Sequence, residues 1–358
     1  MTNEDINTDF LNDFNYLEKD NYKWENEQST RDGFRNVFFG INKNNKEDFI
    51  YVKQIKISPL TYKKILTEIY FLIFLKNQDY FVDLYDLIIS KDKEKIFLLF
   101  KGNNVDIFTL INSEKKNYLL NKNLIKWIIY QIAFGLYFLH YNKIIHNDIK
   151  LSNILIDNEG GVVICDLGSA NYENEKNFEF SFSYSAPEFL NGNTFSNEKF
   201  DMWSLGVIML ELFFKKNGIF KVESQNINNE VQLNFILSKF GINGNISKEE
   251  IDKLINDENN LKYIIFDNVQ IKTIGDPDAI DLIKHLLTLN PKKRYTAKQV
   301  LKSKYLEEVL SQGFNKLNLK KIEEPIHYNI LSGDINRDLF LKIFDSLNTK
   351  FKKINKSK

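Results

Sequence analysis

The stretch His146-Asn147-Asp148-Ile149-Lys150-Leu151-Ser152-Asn153 decides how this chain is read. It follows residues 122–141, whose apolar positions recur at helical spacing. It runs into two short β-prone segments, NILI (153–156) and GVVICD (161–166), joined by the turn Asn158-Glu159-Gly160-Gly161. Thirteen residues after Asn153 comes Asp166-Leu167-Gly168, at the end of the second segment. Ala186-Pro187-Glu188 and Asp201-Met202-Trp203-Ser204-Leu205-Gly206 follow in turn. Any one of these short motifs is a weak signal, whereas their common order and spacing is a strong one.

Together the four blocks resemble the catalytic loop, metal-binding turn, activation-segment anchor and following helix of the eukaryotic protein kinases, over roughly residues 22–308. The resemblance implies an α+β, bilobal kinase fold. Its small β-rich lobe would span about 22–102 and its larger helical lobe about 103–308, flanked by a flexible acidic arm (1–21) and a C-terminal extension (309–358). It also implies transfer of the ATP γ-phosphate to protein Ser/Thr hydroxyls with Mg²⁺. Phosphoryl transfer is mainly a matter of positioning and charge neutralisation. On this resemblance Asp148 orients the substrate hydroxyl, and Lys150 sets a positive charge beside the moving phosphate. Asn153 and Asp166 supply hard oxygen ligands to metal. Lysine at 150 is the pattern of serine/threonine rather than tyrosine kinases.

Upstream, the chain reads β-β-α-β-β. The runs FRNVFFGI and FIYVKQIKI form a hairpin, TYKKILTEIYFLIFLK (61–76) a helix, and YFVDLYDLIIS and KIFLLF two more strands. The resemblance makes Lys53 the phosphate-gripping lysine and Glu68 its brace, fifteen residues on; Lys56 is the rival lysine. Tyr51 stands where a small residue usually roofs the adenine. In the phosphate-covering loop only Gly33 remains of three glycines, with Phe34 and Val37 matching the tip aromatic and the adenine-contacting valine. Phe100 is the expected gatekeeper, Lys101 and Asn103 the adenine-binding backbone, and Leu155 the adenine floor. His146 and Asp201 are expected in structural roles. Glu188 and Arg294 are expected to form a buried ion pair, since a planar guanidinium suits a buried carboxylate.

Asn147 replaces the arginine that normally receives an activation-loop phosphate, so activity without that phosphate is expected. Phe178, Phe180 and Phe182 are candidate anchors of the segment, and Ser181 matches a hydroxyl that bonds the catalytic Asp and Lys. DLGSANY, the Phe100 position and EVQLNFILSKFG resemble the CMGC group, with LAMMER-type (CDC-like) and SR-protein kinases the nearest branches. SR-type substrates follow from that. A pseudokinase scaffold is the alternative, motivated by the glycine-poor loop and Tyr51.

Composition agrees with a globular protein and narrows the classes. The 358 residues carry 48 Lys+Arg and 48 Asp+Glu, so binding nucleic acid by bulk charge is disfavoured. Cys165 is the only cysteine, which rules out an intrachain disulfide and argues against a zinc cluster. The start MTNEDINTDF lacks signal-peptide character, and 124–141 is too interrupted to span a bilayer. A cytoplasmic or nuclear location is expected. Residues 242–275 read as an irregular insert, and the basic end FKKINKSK as a frayed, solvated tail.

Overall fold

A computed structural model describes residues 22–29, 35–43, 49–102, 104–114, 120–176, 180–224, 226–244, 246–256, 271–311, 328–331 and 334–356. The arm 1–21, Gly33, Phe34, Asn103 and Phe178 lie outside the described residues. The chain divides into two compact units, Met1–Asn104 with Ile322–Lys358, and Val105–Lys321.

The first unit is built on a five-stranded antiparallel sheet. Its strands are β1 (Tyr22–Ser29), β2 (Arg35–Asn42), β3 (Phe49–Lys56), β4 (Leu84–Ile89) and β5 (Lys95–Lys101), in the order β1-β2-β3-β5-β4. Strand β1 (YKWENEQS) goes beyond the sequence expectation, because its polar composition hides it. In β3 the period of two puts Ile50 and Val52 into a core with Phe38, Phe97 and Leu99. Tyr51 and Lys53 therefore share the other face, opposite Phe39 and Val37 of β2. Helix α1 (Tyr62–Phe74) starts after a Ser58–Thr61 turn, in which the Ser58 amide donates to Thr61 Oγ1. It is buried almost all round, so a sheet on one side cannot be its whole environment.

The second unit is mainly helical. Strand β6 (Val105–Asp106) leads into α2 (Ile107–Asn112) and then the long α3 (Lys122–Tyr141), whose N-cap Asn121 accepts from the Leu124 amide. Short strands β7 (Ile144–Ile145), β8 (Ile154–Ile156), β9 (Val162–Ile164) and β10 (Asn171–Tyr172) follow, pairing as β6-β8-β9 and β10-β7. Then come α4 (Pro187–Leu190), α5 (Glu198–Phe214), α6 (Asn229–Ser238), α7 (Lys248–Asn256), α8 (Pro277–Leu286), α9 (Ala297–Leu301) and α10 (Glu307–Ser311). Helix α7 lies inside the stretch expected to be irregular, where Ile251 and Ile255 bury one face. Helix α5 is the central post, buried from Phe200 to Leu212. A Cβ on Gly206 would lie 2.8 Å from the Leu287 side chain, so glycine is what lets that region approach. Among the described residues no helix is long and apolar enough to cross a membrane.

The last helix, α11 (Arg337–Lys356), belongs to the first unit. It corrects the expectation of a frayed FKKINKSK tail: Phe351 is fully buried, and the helix runs to Lys356. Phe340, Ile343, Phe344, Leu347 and Phe351 recur at helical spacing and form a buried stripe.

Candidate active site

The loop between β7 and β8 is held from beneath by Asp201 of α5. Its carboxylate accepts the amides of His146 and Asn147, each at 2.9 Å, and His140 Nε2 at 2.8 Å. Asp201 is 1% exposed, so a buried charge is satisfied by three donors. His146 is itself enclosed; its Nε2 donates to the Cys165 carbonyl at 3.0 Å, which leaves Nδ1 to accept the Asp148 amide at 3.3 Å. Asn147 bends the chain with a left-handed φ of 65°, as asparagine tolerates. Its Nδ2 donates to Ser169 O and Ser196 Oγ, both at 3.1 Å, and to Ile145 O at 3.3 Å.

These supports bring four side chains together. Lys150 Nζ lies 2.6 Å from Asp148 Oδ2 and donates to Ser181 Oγ at 3.2 Å. Ser181 Oγ donates to Asp148 Oδ1 at 2.7 Å. Asn153 Nδ2 donates to the Asp148 backbone carbonyl at 2.8 Å and to Oδ2 at 3.2 Å. A serine hydroxyl between a carboxylate and an ammonium is thus already formed. With its nitrogen on Asp148, Asn153 offers Oδ1 as a ligand atom. The Cys165 amide donates to Asn153 O at 2.9 Å, tying the end of β9 to Asn153, and the next residue, Asp166, turns with φ 60°. Asp166 and Asn153 supply the hard oxygens that Mg²⁺ takes, so the donor chemistry fits that ion. Leu155 is half-buried on β8, opposite Asp106 and Val163.

In the first unit Lys53 Nζ donates to Glu68 Oε1 at 2.5 Å, joining β3 to α1. Lys56 is exposed at the end of the same strand. Val37 is half-buried and pairs with Lys53 in the sheet; Tyr51 pairs with half-buried Phe100 on the other side. The Tyr51 ring leans on Phe39, centroids 4.8 Å apart, and its hydroxyl donates to the Asn104 carbonyl at 2.8 Å. That bond answers what a tyrosine does there: it reaches along the strand to the chain just past β5. Lys101 is exposed and lies over the Tyr85 ring at 4.5 Å.

The activation segment is fastened at its far end. Glu188 Oε1 and Oε2 accept Arg294 Nη1 and Nη2 at 2.6 and 2.9 Å, and Arg294 also donates to Lys199 O and Thr288 O. Its guanidinium stacks over Trp203 at 5.0 Å. Burial pushes the nearby Lys199 ammonium below its ordinary range. Phe180 packs edge-on against Phe182 and Phe189, at 5.0 and 4.7 Å. A cleft beside Asp148 is lined by Ser181, Tyr184, Phe189 and Phe200.

Sequence reading passed over one more pair. Tyr184 Oη donates at 2.7 Å to Glu211, the lone acid in the apolar second half of α5. Glu211 also accepts the amides of Gly218 and Ile219. Burial dominates and raises its carboxyl to about 7, against the pull of those bonds. Burial, then the neighbouring Glu211, push the Tyr184 hydroxyl well above the ordinary tyrosine range. The signal for this pair was available: an acid inside an apolar helix needs a partner.

The family model for the protein kinase domain matches residues 33–306. Among similar proteins are extracellular signal-regulated kinase 1 of Dictyostelium discoideum (27% identical, over 78% of this chain and 53% of that protein) and cyclin-dependent kinase E-1 of Arabidopsis thaliana (28%, over 68% and 57%). Serine/threonine-protein kinase ppk23 of Schizosaccharomyces pombe is 27% identical, over 76% and 69%. The chain spans little more than half the length of the first two. These relatives are of the CMGC type, and with three quarters of its length matched to the domain, this chain belongs to the protein kinase family.

Proposed function

We propose that this protein is a serine/threonine protein kinase that transfers the γ-phosphate of Mg-ATP to protein hydroxyls. The observation that carries the reading is the Asp148–Lys150–Ser181 cluster, where a serine hydroxyl already rests on the carboxylate beside a lysine. Asp148 takes up or orients the hydroxyl proton, and Lys150 neutralises charge on the transferring phosphate. Asn153 and Asp166 would hold Mg²⁺, which when bound would supply positive charge to neutralise the phosphates. In the first unit Lys53, braced by Glu68, grips the α- and β-phosphates, and Val37, Tyr51, Phe100 and Lys101 serve the adenine. A thermal-shift titration with Mg-ATP tests this: wild type is stabilised, and Asp166→Ala loses the metal-dependent part of the shift. No shift in wild type, and no autophosphorylation, counts against it.

Activity independent of activation-loop phosphate belongs to the same proposal. Asn147 does with a neutral amide what an arginine–phosphate pair does by charge, fastening Ser169 and Ser196 to the loop. The pairing continues along the segment: Glu173 and Lys143 form an ion pair at 3.0 Å, and the amides of Asn174 and Ser196 donate to Ser196 O and Glu175 O. Phosphatase treatment should leave the initial rate unchanged, and a fall beyond about tenfold, roughly 1.4 kcal/mol of barrier, refutes it. The finer branch, LAMMER-type or SR-protein-like with SR-type substrates, rests on Asn147 and the Leu167 of D-L-G. Comparing an SR-repeat peptide with a proline-directed one tests it.

One observation favours the scaffold alternative. Tyr51 shares the Lys53 face of β3 and is tied down by Asn104. The same Mg-ATP titration separates the two readings.

A further inference from the structure

The stretch that matches the kinase domain ends at residue 306, yet α11, thirty residues on, packs against helix α1, which carries Glu68. Contacts follow the same order along both helices. Phe340 stacks on Tyr62 at the start of α1, ring centroids 4.8 Å apart. Phe351 lies under the ammonium of Lys76, just beyond the end of α1, at 5.5 Å. At 1.5 Å per residue these intervals are about 17 Å along α11 and about 21 Å from Tyr62 to Lys76. The tail helix therefore runs alongside α1 in the same direction, and Glu68 falls near the middle of the covered length. Tyr328, in the short turn before α11, closes the remaining side against Tyr70 and Phe71, at 5.2 and 5.6 Å. Arg337 fastens the near end, donating to Glu94 Oε1 at 2.9 Å and Lys93 O at 3.1 Å in the β4–β5 turn.

Glu68 is 2% exposed, and its Oε2 has no hydrogen-bond partner among the described residues. Its place on Lys53 rests on one bond from a flexible ammonium. A small displacement of α1 would break that bond and leave a buried carboxylate unpaired, which is strongly unfavourable. What fixes α1 therefore fixes the pair, and its outer side is covered by the tail.

We infer that α11 is a positioning element for Glu68, with Phe340 and Arg337 its principal fastenings. The inference rests on the reading of Lys53 and Glu68 as the phosphate-gripping pair. The tail is then part of the apparatus for ATP use, supplied by the chain itself beyond the stretch that matches the kinase domain.

The test is a double-mutant cycle in the full-length protein, reading kcat/KM for ATP and for peptide substrate. Glu68→Gln is the reference variant and lowers kcat/KM for ATP by about a hundredfold. Phe340→Ala lowers it by about tenfold, raises KM for ATP while leaving KM for peptide within about twofold, and has no further effect in the Glu68→Gln background. Phe340→Leu, which keeps the apolar bulk, restores most of the loss. Arg337→Ala, an exposed change that leaves the core intact, gives a fall of about threefold that also vanishes with Glu68→Gln; it decides the matter should Phe340→Ala not fold. Wild-type kinetics in both folded tail variants, or losses of equal size with and without Glu68, overturn the inference. Full activity in Glu68→Gln itself overturns the reading of the pair, a distinguishable result.

Discussion

Two buried carboxylate–cation pairs, one in each unit, are built differently. Glu188 uses both oxygens on a two-pronged arginine fork, and that arginine also reaches two backbone carbonyls and lies over Trp203. Glu68 uses one oxygen on a lysine, and its other oxygen has no partner among the described residues. The first arrangement engages both carboxylate oxygens and two carbonyls through four Nη bonds, with only Arg294 Nε unpartnered among the described residues, and suits a permanent fastening. The second is only half satisfied on the carboxylate side, and its cation is a point charge on a flexible stem that can also engage phosphate oxygens. Stability should therefore reside in the first pair and phosphotransfer in the second.

The largest effect is expected at the pair with the two-pronged fork. Arg294→Ala leaves Glu188 buried and unpaired, and should cost about 3–5 kcal/mol in urea unfolding of the kinase domain; a loss below about 1 kcal/mol would break the comparison.

Glu211 sharpens it as a third buried carboxylate, with neutral donors instead of a cation. Its carboxyl is raised from the ordinary 4.5 to about 7, so the fold prefers the neutral form. A raised acid contributes stability that is fully present below about pH 4.5 and lost as pH rises through about 7. Relative to Glu211→Gln, wild type should lose on the order of 3 kcal/mol across that window, since each unit is worth about 1.4 kcal/mol. Parallel stability curves for the two proteins would show that Glu211 titrates normally.

At the half-satisfied pair, Lys53→Met should lower kcat/KM by about a hundredfold, or about 2.7 kcal/mol, with Lys56→Met within about twofold of wild type. The reverse order would place the working lysine at the wrong register. The smallest change is Tyr51→Phe, which removes one bond to Asn104 and should cost about 1 kcal/mol of stability; a larger loss would make the tyrosine a principal strut of its unit.

Much of the large unit could be read in the sequence because its chemistry sits in short local motifs. His146 through Asn153 and Asp166 come together through turns and a strand pair only a few residues long, and Asp201, 55 residues on from His146, sits in a short motif of its own. The interval from Lys53 to Glu68 was readable for the same reason. Strand β1 was not, because an edge strand rich in Lys, Glu and Asn lacks apolar alternation. The role of α11 was hidden differently. Its stripe from Phe340 to Phe351 is plain as a helix, but its partner α1 lies more than 260 residues earlier, and periodicity says nothing about which distant face it covers. Tyr184 and Glu211 fall between: the lone acid in α5 is a local signal, while its partner had to come from the fold.

The central claim is phosphotransfer carried by Asp148, and one measurement tests it most directly. Purified full-length wild type and Asp148→Ala are incubated with Mg-ATP and a mixed Ser, Thr and Tyr peptide library, and initial rates of γ-phosphate incorporation are compared. The account predicts transfer to serine and threonine, not tyrosine, and a fall of about a hundredfold or more in a folded Asp148→Ala protein. Equal rates in the two proteins, or no transfer by wild type, would contradict it.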